Sequence, residues 1–399
     1  MNLDIKNTIL DLAGEIGDKV TTYRRHLHMN PELSFEEYET AAFICRFLEE
    51  NGIKYRKNIS GTGIIGEITG TIKGSKVIAL RAEMDALPVT EKNQVVYASK
   101  FPGRMHACGH DSHMAMLMGA ALVLNRMRDN LKGTILLVFQ PGEELVPGGA
   151  KLMLESGAFN DPRPDMIIAQ HVLPELETGK VGYRAGRYMA SSDEIYITIS
   201  GKGGHAALPG ASTDQVLIAS KLIVTMKETI ASMQKEKNIP TVLGIGKIRG
   251  DGATNVIPEK VEIAGTFRTF DEEWRGEAKE VLKNIASEIA AREGVKIEVR
   301  IAHGYPVLIN DEHLTNSAIR LSEELLGKDK VETFDLRMSS EDFAFFTEVF
   351  PSLYYRIGIR KKGDQQRNLH TADFDIDEAG LKTGVANLCW LAFNFLKDN

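Results

Sequence analysis

The chain has 399 residues, 43% of them hydrophobic and 26% charged, with a formal net charge of −7. This composition is typical of a globular protein long enough for two domains, and it excludes a disordered, fibrous or membrane-spanning chain. A mild acidic excess does not suit nucleic acid or an anionic membrane as a partner, because both require a basic surface. The cysteines Cys45, Cys108 and Cys389 are too few for a disulfide framework, and no secretory signal pattern is visible. We therefore expect a reducing, cytoplasmic environment.

Strand-length apolar runs alternate with helical patterns through the first part of the chain. The predicted elements are strands at 64–69 and 76–82, a helix at 111–128, a strand at 134–140, a helix at 150–156 and a strand at 165–172. The same style returns near the end, with a helix at 311–326, a strand at 352–360 and a helix at 377–396. This alternation predicts an α/β fold with a mostly parallel sheet.

The pattern changes between these two parts. Here the predicted elements are a strand at 194–201, a helix at 213–235, strands at 241–250 and 260–270, a helix at 272–293 and a strand at 295–302. The order β-α-β-β-α-β is typical of a ferredoxin-like (split βαβ) domain. We therefore predict a domain at 190–303 inserted into a first domain formed by 1–189 and 304–399.

Polar side chains that can bind metals follow several predicted strands. They are Asp85 after the strand at 76–82, Glu143 and Glu144 after the next strand, His171 after the apolar part of the third strand (165–169), and His370 beyond the last. Ligands of parallel sheets gather at the carboxyl ends of the strands. A site is therefore expected at this edge.

The segment around Cys108 has the highest density of such groups. Cys108 and His110 stand just before a predicted helix, for which Asp111 or Ser112 is the expected N-cap. A thiolate and an imidazole at this spacing suit zinc, but a purely local structural role fits the pair equally well. His113 is interpreted as a capping or supporting group.

The adjacent acids Glu143 and Glu144 would ordinarily belong to a solvated surface. Their position after an apolar strand and a Pro-Gly turn favours a division of labour instead, with one carboxylate on a metal and the other acting as a general base. Asp85 is either a strand-end cap or the acid that orients a ligating histidine. Cys45 and Cys389 lie in apolar helical stretches and are interpreted as packing residues.

Several motifs recur in one order over nearly the whole chain. They are RRHLH (24–28), RAEMDALP (81–88), HACGHD (106–111), QPGEE (140–144), GGHAA (203–207) and SEDF (340–343). Together they resemble the amidohydrolase branch of the aminoacylase/carboxypeptidase zinc metallopeptidases, which includes hippurate hydrolases and indole-acetyl-amino-acid hydrolases. The resemblance implies hydrolysis of N-acyl amino acids at the amide bond, by a metal-activated water and a glutamate general base.

The resemblance also implies a site with two divalent metal ions per subunit. Its ligands would be Cys108, His110, Glu144, His171 and His370. Zinc is the expected metal, although such mixed donor sets also accept Mn²⁺, Co²⁺ or Ni²⁺. Glu143 would be the general base, and Asp85 the acid behind a metal ligand. The family more often has Asp where this chain has Glu83.

For the inserted domain the resemblance implies a lid that also forms a homodimer. His205 would then stabilise the oxyanion in the active site of the partner subunit. Asn255 and Arg268 match positions that the family uses near the carboxylate of the substrate. A strand-face salt bridge remains the alternative for Arg268.

Three alternatives stay open at the level of sequence. The first is a dipeptidase or carboxypeptidase on the same scaffold, which a substrate panel would distinguish. The second is a hydrolase with Cys108 as nucleophile, which a chelator would spare. The third is a non-catalytic metal- or ligand-binding homologue. The presence of every expected metal ligand and of Glu143 argues against this alternative.

Overall fold

Helices and strands alternate in the computed structural model, which describes residues 2–208, 210 and 212–397. Its helices are α1 (Asn2–Glu15), α2 (Gly17–Met29), α3 (Tyr38–Glu50), α4 (His110–Arg126), α5 (Gly149–Glu155), α6 (Gln215–Lys237), α7 (Glu272–Glu293), α8 (Glu312–Leu326), α9 (Ala344–Thr347) and α10 (Ala379–Lys397). Its strands are β1 (Lys54–Ile59), β2 (Gly63–Thr69), β3 (Ile72–Glu83), β4 (Lys132–Gln140), β5 (Met166–Glu177), β6 (Val181–Tyr183), β7 (Gly186–Met189), β8 (Asp193–Ser200), β9 (Gly204–His205), β10 (Thr241–Arg249), β11 (Val256–Ile257), β12 (Lys260–Thr269), β13 (Lys296–His303), β14 (Leu308–Asn310), β15 (Val331–Thr333) and β16 (Ser352–Arg360).

These elements belong to two units of the chain. The large unit comprises the residues up to Gly186, Ile309–Asp335 and the residues from Asp342 onward. The small unit comprises Arg187–Leu308 and Leu336–Glu341. The range predicted for the inserted domain, 190–303, lies inside the small unit.

The large unit contains a mixed sheet with the strand order β1-β2-β4-β3-β5-β16-β6-β15. The strands β4, β3, β5 and β16 run parallel to one another, whereas β1 and β2 on one side and β6 on the other pair antiparallel with their neighbours. The predicted α/β class is therefore confirmed. From Val77 onward β3 is buried, as are most residues of β4, β5 and β16, which is expected where both faces of a sheet are covered.

The helices α2, α4 and α10 share the core of the large unit with the sheet. Residues 110–124 of α4 are buried throughout, so the start of this helix is held inside the protein. Within the described residues, no helix combines the length and the apolar content that crossing a membrane requires.

The small unit contains an antiparallel sheet with the order β10-β12-β8-β13. Its chain order, β8-α6-β10-β12-α7-β13, is the ferredoxin-like arrangement. Along β8 the side chains of Ile195, Ile197 and Ile199 are buried, and those between them are more exposed. Because side chains alternate between the two faces of a strand, these isoleucines share one apolar face. The helices α6 and α7 pack against that face.

Two of the parallel strands end where polar residues were expected to follow. The strand β3 ends at Glu83 and β4 at Gln140. The prediction that His171 follows its strand was wrong, because β5 continues beyond it. Pairing between β5 and β3 stops at Ala169, but pairing with β16 continues to Glu177. His171 therefore lies on a strand that has lost its neighbour on one side.

A buried arginine joins α2 to the beginning of α4. Arg24 Nε lies 2.8 Å from Asp111 Oδ2, and its Nη2 lies 2.8 Å from Asp375 Oδ1. His28 Nδ1 contacts the same Asp111 oxygen at 2.8 Å. The prediction of Asp111 or Ser112 as N-cap was wrong, since Gly109 occupies that position with φ of 81°. The Asp111 carboxylate instead neutralises Arg24.

We expect Arg24→Met to lower the free energy of unfolding by about 3–5 kcal/mol, because it leaves the buried Asp111 carboxylate without its cation. The matched control is Arg25→Ala. The side chain of Arg25 is 42% exposed and pairs with Glu378 at the surface, so its loss should cost less than about 1 kcal/mol. Urea unfolding followed by tryptophan fluorescence measures both. Equal losses would contradict this account of the α2–α4 contact.

Candidate metal centre

Cys108 lies at the middle of a cluster of metal-binding side chains. Its Sγ is 3.4 Å from His171 Nε2 and 3.3 Å from His370 Nε2. His370 Nε2 is in turn 3.2 Å from Glu144 Oε1. Ligand atoms around one tetrahedral zinc ion are separated by about 3.3–3.7 Å, given bonds of about 2.0–2.3 Å. The spacing of these side chains therefore suits a shared cation.

Backbone carbonyls fix the orientation of two of the histidines. His110 Nδ1 lies 2.8 Å from the carbonyl oxygen of Asp85, and His171 Nδ1 lies 2.7 Å from that of Val172. Because a carbonyl oxygen can only accept, each Nδ1 donates and each neutral ring keeps its lone pair on Nε2. His110 Nε2 is buried and has no hydrogen-bond partner among the described residues. A buried, unpaired acceptor of this kind fits a metal ligand.

Local backbone geometry brings Cys108 and His370 together. Gly109 adopts a φ of 81°, and a Cβ there would lie 2.5 Å from the Val172 side chain, so only glycine fits between the two ligands 108 and 110. His370 also has a positive φ, of 62°. Its backbone N–H donates to the carbonyl of Ala107 at 2.8 Å, which holds this strained residue beside Cys108.

Asp85 connects two members of the cluster. Its Oδ2 accepts from the Glu144 backbone N–H at 2.9 Å and from the Ser34 hydroxyl at 2.7 Å, and its Oδ1 lies 3.3 Å from His110 Nδ1. Burial raises the pKa of Asp85, but His110, the Glu144 N–H and the Ser34 hydroxyl together outweigh burial and lower the pKa. Sequence reasoning missed Ser34, since nothing in a spacing of 51 residues signals this contact.

The cluster needs positive charge. Burial, and then the carboxylates of Glu144 and Glu143, raise the pKa of the Cys108 thiol well above its ordinary value. Burial lowers the pKa of His110, but Asp85 and Glu83 outweigh burial and raise it to about 10. A divalent cation held by Cys108 and His110 would supply this positive charge in place of the proton on His110, and it would stabilise the thiolate by direct ligation.

His113 lies beside the cluster but has both ring nitrogens engaged. Its Nδ1 contacts Glu83 Oε2 at 2.8 Å, and its Nε2 accepts from the Val172 backbone N–H at 3.0 Å. That N–H would pair with β3 if β5 and β3 continued side by side beyond Ala169. His113 therefore supports the strand that carries His171, which agrees with its interpretation as a supporting residue.

The two adjacent glutamates face different neighbours. Glu144 approaches His370, whereas Glu143 Oε1 lies 3.4 Å from the backbone nitrogen of Asp342. Ligand atoms of Glu143, Glu144 and His110 nevertheless all lie within 4.8 Å of one another. Glu143 is 6% exposed, so its carboxylate reaches the cluster from a nearly dry position.

The remaining predicted residues belong to the small unit. His205 pairs with Val256 across β9 and β11, and the Ala206 N–H donates to the Asn255 carbonyl at 3.0 Å, so His205 and Asn255 are neighbours. The Ala207 N–H donates to His205 Nδ1 at 3.1 Å, which leaves the proton of a neutral ring on Nε2 of this exposed side chain.

Arg268 lies on β12, apart from that pair. Its guanidinium donates to the Met338 carbonyl at 3.0 Å and to the Ser340 hydroxyl at 3.2 Å. In the described part of the chain no carboxylate forms an ion pair with it, and burial lowers its pKa. The alternative of a strand-face salt bridge is therefore wrong, and the guanidinium retains capacity for an anion.

Comparisons with known proteins identify a family profile and several similar chains. The profile of Peptidase family M20/M25/M40 matches residues 79–393. The N-acetyl-L-cysteine deacetylase of Bacillus subtilis is 41% identical over 90% of this chain and 83% of its own length. Thermostable carboxypeptidase 2 of Saccharolobus solfataricus is 35% identical over 98% of this chain and 99% of its own. The crystal structure of the Bacillus subtilis YXEP protein, described as a dinuclear metal-binding peptidase of family M20, superposes with a TM-score of 0.81, at 34% identity over 96% of this chain and 99% of that one.

We expect Cys108→Ser to weaken zinc binding by on the order of tenfold or more, because even the loss of a hydrogen bond behind a metal ligand costs that much. The matched control is Cys45→Ser. Cys45 is also a buried free thiol, but it lies in α3, away from these histidines. Mass spectrometry of the zinc retained after gel filtration measures both variants. Equal zinc in Cys108→Ser and wild type would remove Cys108 from the ligand set.

Proposed function

The chain belongs to peptidase family M20/M25/M40, and from that premise we propose that this metallo-amidohydrolase hydrolyses N-acyl amino acids to a carboxylate and a free amino acid. The observation that carries the proposal is the donor set around Cys108, in which Cys108, His110 and His171 are buried, with the buried Glu143 carboxylate beside it. The likeness to an N-acetyl-L-cysteine deacetylase supports an N-acyl amino acid as substrate.

Five side chains of the large unit would hold two divalent ions per subunit. They are Cys108, His110, Glu144, His171 and His370. We assign zinc as the resident metal, with Mn²⁺, Co²⁺ or Ni²⁺ as replacements that the same donors accept. When bound, the ions lower the pKa of a water molecule and polarise the carbonyl of the scissile amide.

Glu143 is assigned the proton transfers. Its carboxylate accepts a proton from the attacking water and then delivers it to the nitrogen of the leaving amine. Glu144 is less suited to this task, because its Oε1 faces His370 within the ligand cluster. Asp85 takes no proton in this scheme, since it orients His110 and the backbone of Glu144.

The small unit is assigned the binding of the polar ends of the substrate. Arg268, which lacks a carboxylate partner among the described residues, would pair with the substrate carboxylate. Asn255 lies beside His205 and would approach that carboxylate from the partner subunit. His205 Nε2 would donate to the oxyanion in the site of a partner subunit. This assignment requires a homodimer formed through the small unit, and we place the enzyme in the cytoplasm.

A second candidate activity is that of a carboxypeptidase. The carboxypeptidase from Saccharolobus solfataricus aligns with almost the entire chain, which supports this alternative. A dipeptide presents the same amide next to a free carboxylate, so the substrates differ mainly in the group on the acyl side. A peptide brings a charged amine there, whereas an acyl amino acid brings an apolar group.

We expect metal-free enzyme supplied with zinc to cleave N-acetyl and N-benzoyl amino acids with a higher kcat/KM than the matching dipeptides. Release of the free amino acid is the measurement. Glu143→Gln should lower kcat by on the order of 10²–10⁴-fold and leave zinc content unchanged. A preference for dipeptides would favour the carboxypeptidase, and an active Glu143→Gln variant would overturn the assignment of the base.

The role of His205 in a partner subunit predicts complementation between two defective variants. His205→Ala should lose about 10²–10³-fold in rate. Mixing unfolded His205→Ala and Glu143→Gln chains and refolding them together should recover about a quarter of wild-type activity, because half of the dimers then hold one intact site. The control is each variant refolded alone. Absence of recovery in mixed dimers would place His205 outside the partner's site.

A further inference from the structure

Glu37 is a buried acid to which the reaction outlined above gives no role. Its Oε1 accepts two backbone hydrogen bonds, from Phe35 at 2.9 Å and from Gly142 at 2.8 Å. Its Oε2 accepts the Thr62 hydroxyl at 2.6 Å. Burial raises the pKa of Glu37 to about 7, although the hydrogen bond from Thr62 opposes this. Above that pH the buried Glu37 side chain is a carboxylate, and both of its oxygens accept hydrogen bonds from neighbouring segments.

The segment that Glu37 holds is the turn leading to the two catalytic-site glutamates. Gly142 adopts a φ of 55°, and Phe35 also has a positive φ, of 65°. The two residues pack so closely that a Cβ at 142 would lie 2.4 Å from the Phe35 ring. Both backbones are in the left-handed region and donate to the same Glu37 oxygen. The carboxylate therefore stabilises the positive φ angles of Phe35 and Gly142, which are unfavourable for most residues.

Glu143 depends on this turn more than Glu144 does. The Glu144 backbone is anchored separately, since its N–H donates to Asp85 Oδ2 at 2.9 Å. Glu143 directly follows Gly142, and the approach of its Oε1 to the Asp342 nitrogen is long, at 3.4 Å. A small shift of the turn would thus displace Glu143 and leave Glu144 in the ligand cluster.

We propose that Glu37 is a positioning residue, whose carboxylate fixes the Gly142 turn so that Glu143 reaches the reacting water and amine. The proposal rests on the proposed role of Glu143 as general base. In this proposal the two adjacent glutamates are positioned separately. Glu37 positions Glu143 for proton transfer, and Asp85 positions the metal ligand Glu144. Loss of the Glu37 contact should therefore lower kcat without releasing metal.

Two conservative variants separate reach from charge. Glu37→Asp keeps the carboxylate but withdraws it from Gly142 by one methylene. Misplacement by about 1 Å can cost on the order of 10²-fold in rate, so kcat should fall by about 10- to 100-fold at pH 8, with KM within about threefold and zinc content unchanged. Glu37→Gln keeps the reach, because its carbonyl can accept both N–H groups while its amide donates to Thr62. It should stay within about threefold of wild-type kcat.

Glu36→Ala is the matched control, since Glu36 is exposed and its contact with Arg104 spans 3.7 Å. It should leave kcat and zinc content unchanged. Wild-type kcat in Glu37→Asp, or a fall in kcat that matches a loss of zinc, would overturn the positioning role. The loss of kcat in Glu37→Gln to the level of Glu37→Asp would also overturn it, because charge and not reach would then matter.

Hydrogen exchange tests the contact without any substrate. The Gly142 amide should exchange at least about tenfold faster in Glu37→Asp than in wild type, and at the wild-type rate in Glu36→Ala. Unchanged exchange in Glu37→Asp would refute the contact. If the exchange behaves as expected while wild type cleaves nothing in the acyl-amino-acid and dipeptide panel, the proposed function fails and the contact stands.

Discussion

Arg81 is completely buried at the carboxyl end of β3, and the large unit is arranged around the groups that neutralise it. Glu83 pairs with it from the same strand, Gln140 accepts from its Nε at 2.8 Å, and Asp342 Oδ1 lies 2.7 Å from its Nη2. A buried cation of this kind is tolerated only when its donors are paired, and removing one partner leaves an uncompensated charge. The ends of β3 and β4 and the segment at Asp342 therefore cannot move independently.

This arrangement extends step by step to the metal centre. Glu83 also contacts His113 at 2.8 Å, and His113 accepts the Val172 N–H that no longer faces β3. With that N–H satisfied by a side chain, β5 can separate from β3 and still avoid an unpaired buried donor. The separation leaves His171 facing Cys108. Glu83, where the resemblance led us to expect Asp more often, thus joins a buried cation on β3 to a histidine on α4.

Much of this was predictable from the sequence, and the reasons are physical. Apolar runs and helical periods indicate which positions are buried, so the helices predicted at 111–128, 213–235 and 272–293 differ from the observed ones by at most two residues at either end. Parallel strands align their carboxyl ends, which is why Asp85 and Glu143 could be placed at one edge. The end of β5 could not be predicted, because it depends on a neighbour that stops pairing at Ala169.

The contacts that the sequence did not reveal join segments with no shared period. Glu37 and Gly142 are 105 residues apart, and neither position has a pattern that points to the other. The same limit applies to the adjacent acids. The residues alone permit either Glu143 or Glu144 as the metal ligand, since both are glutamates and they are adjacent in the sequence. Backbone anchoring separates them, because Asp85 holds the Glu144 N–H at 2.9 Å and so directs that side chain to His370. Glu143 directly follows Gly142, so the position of its backbone depends on the turn that Glu37 holds.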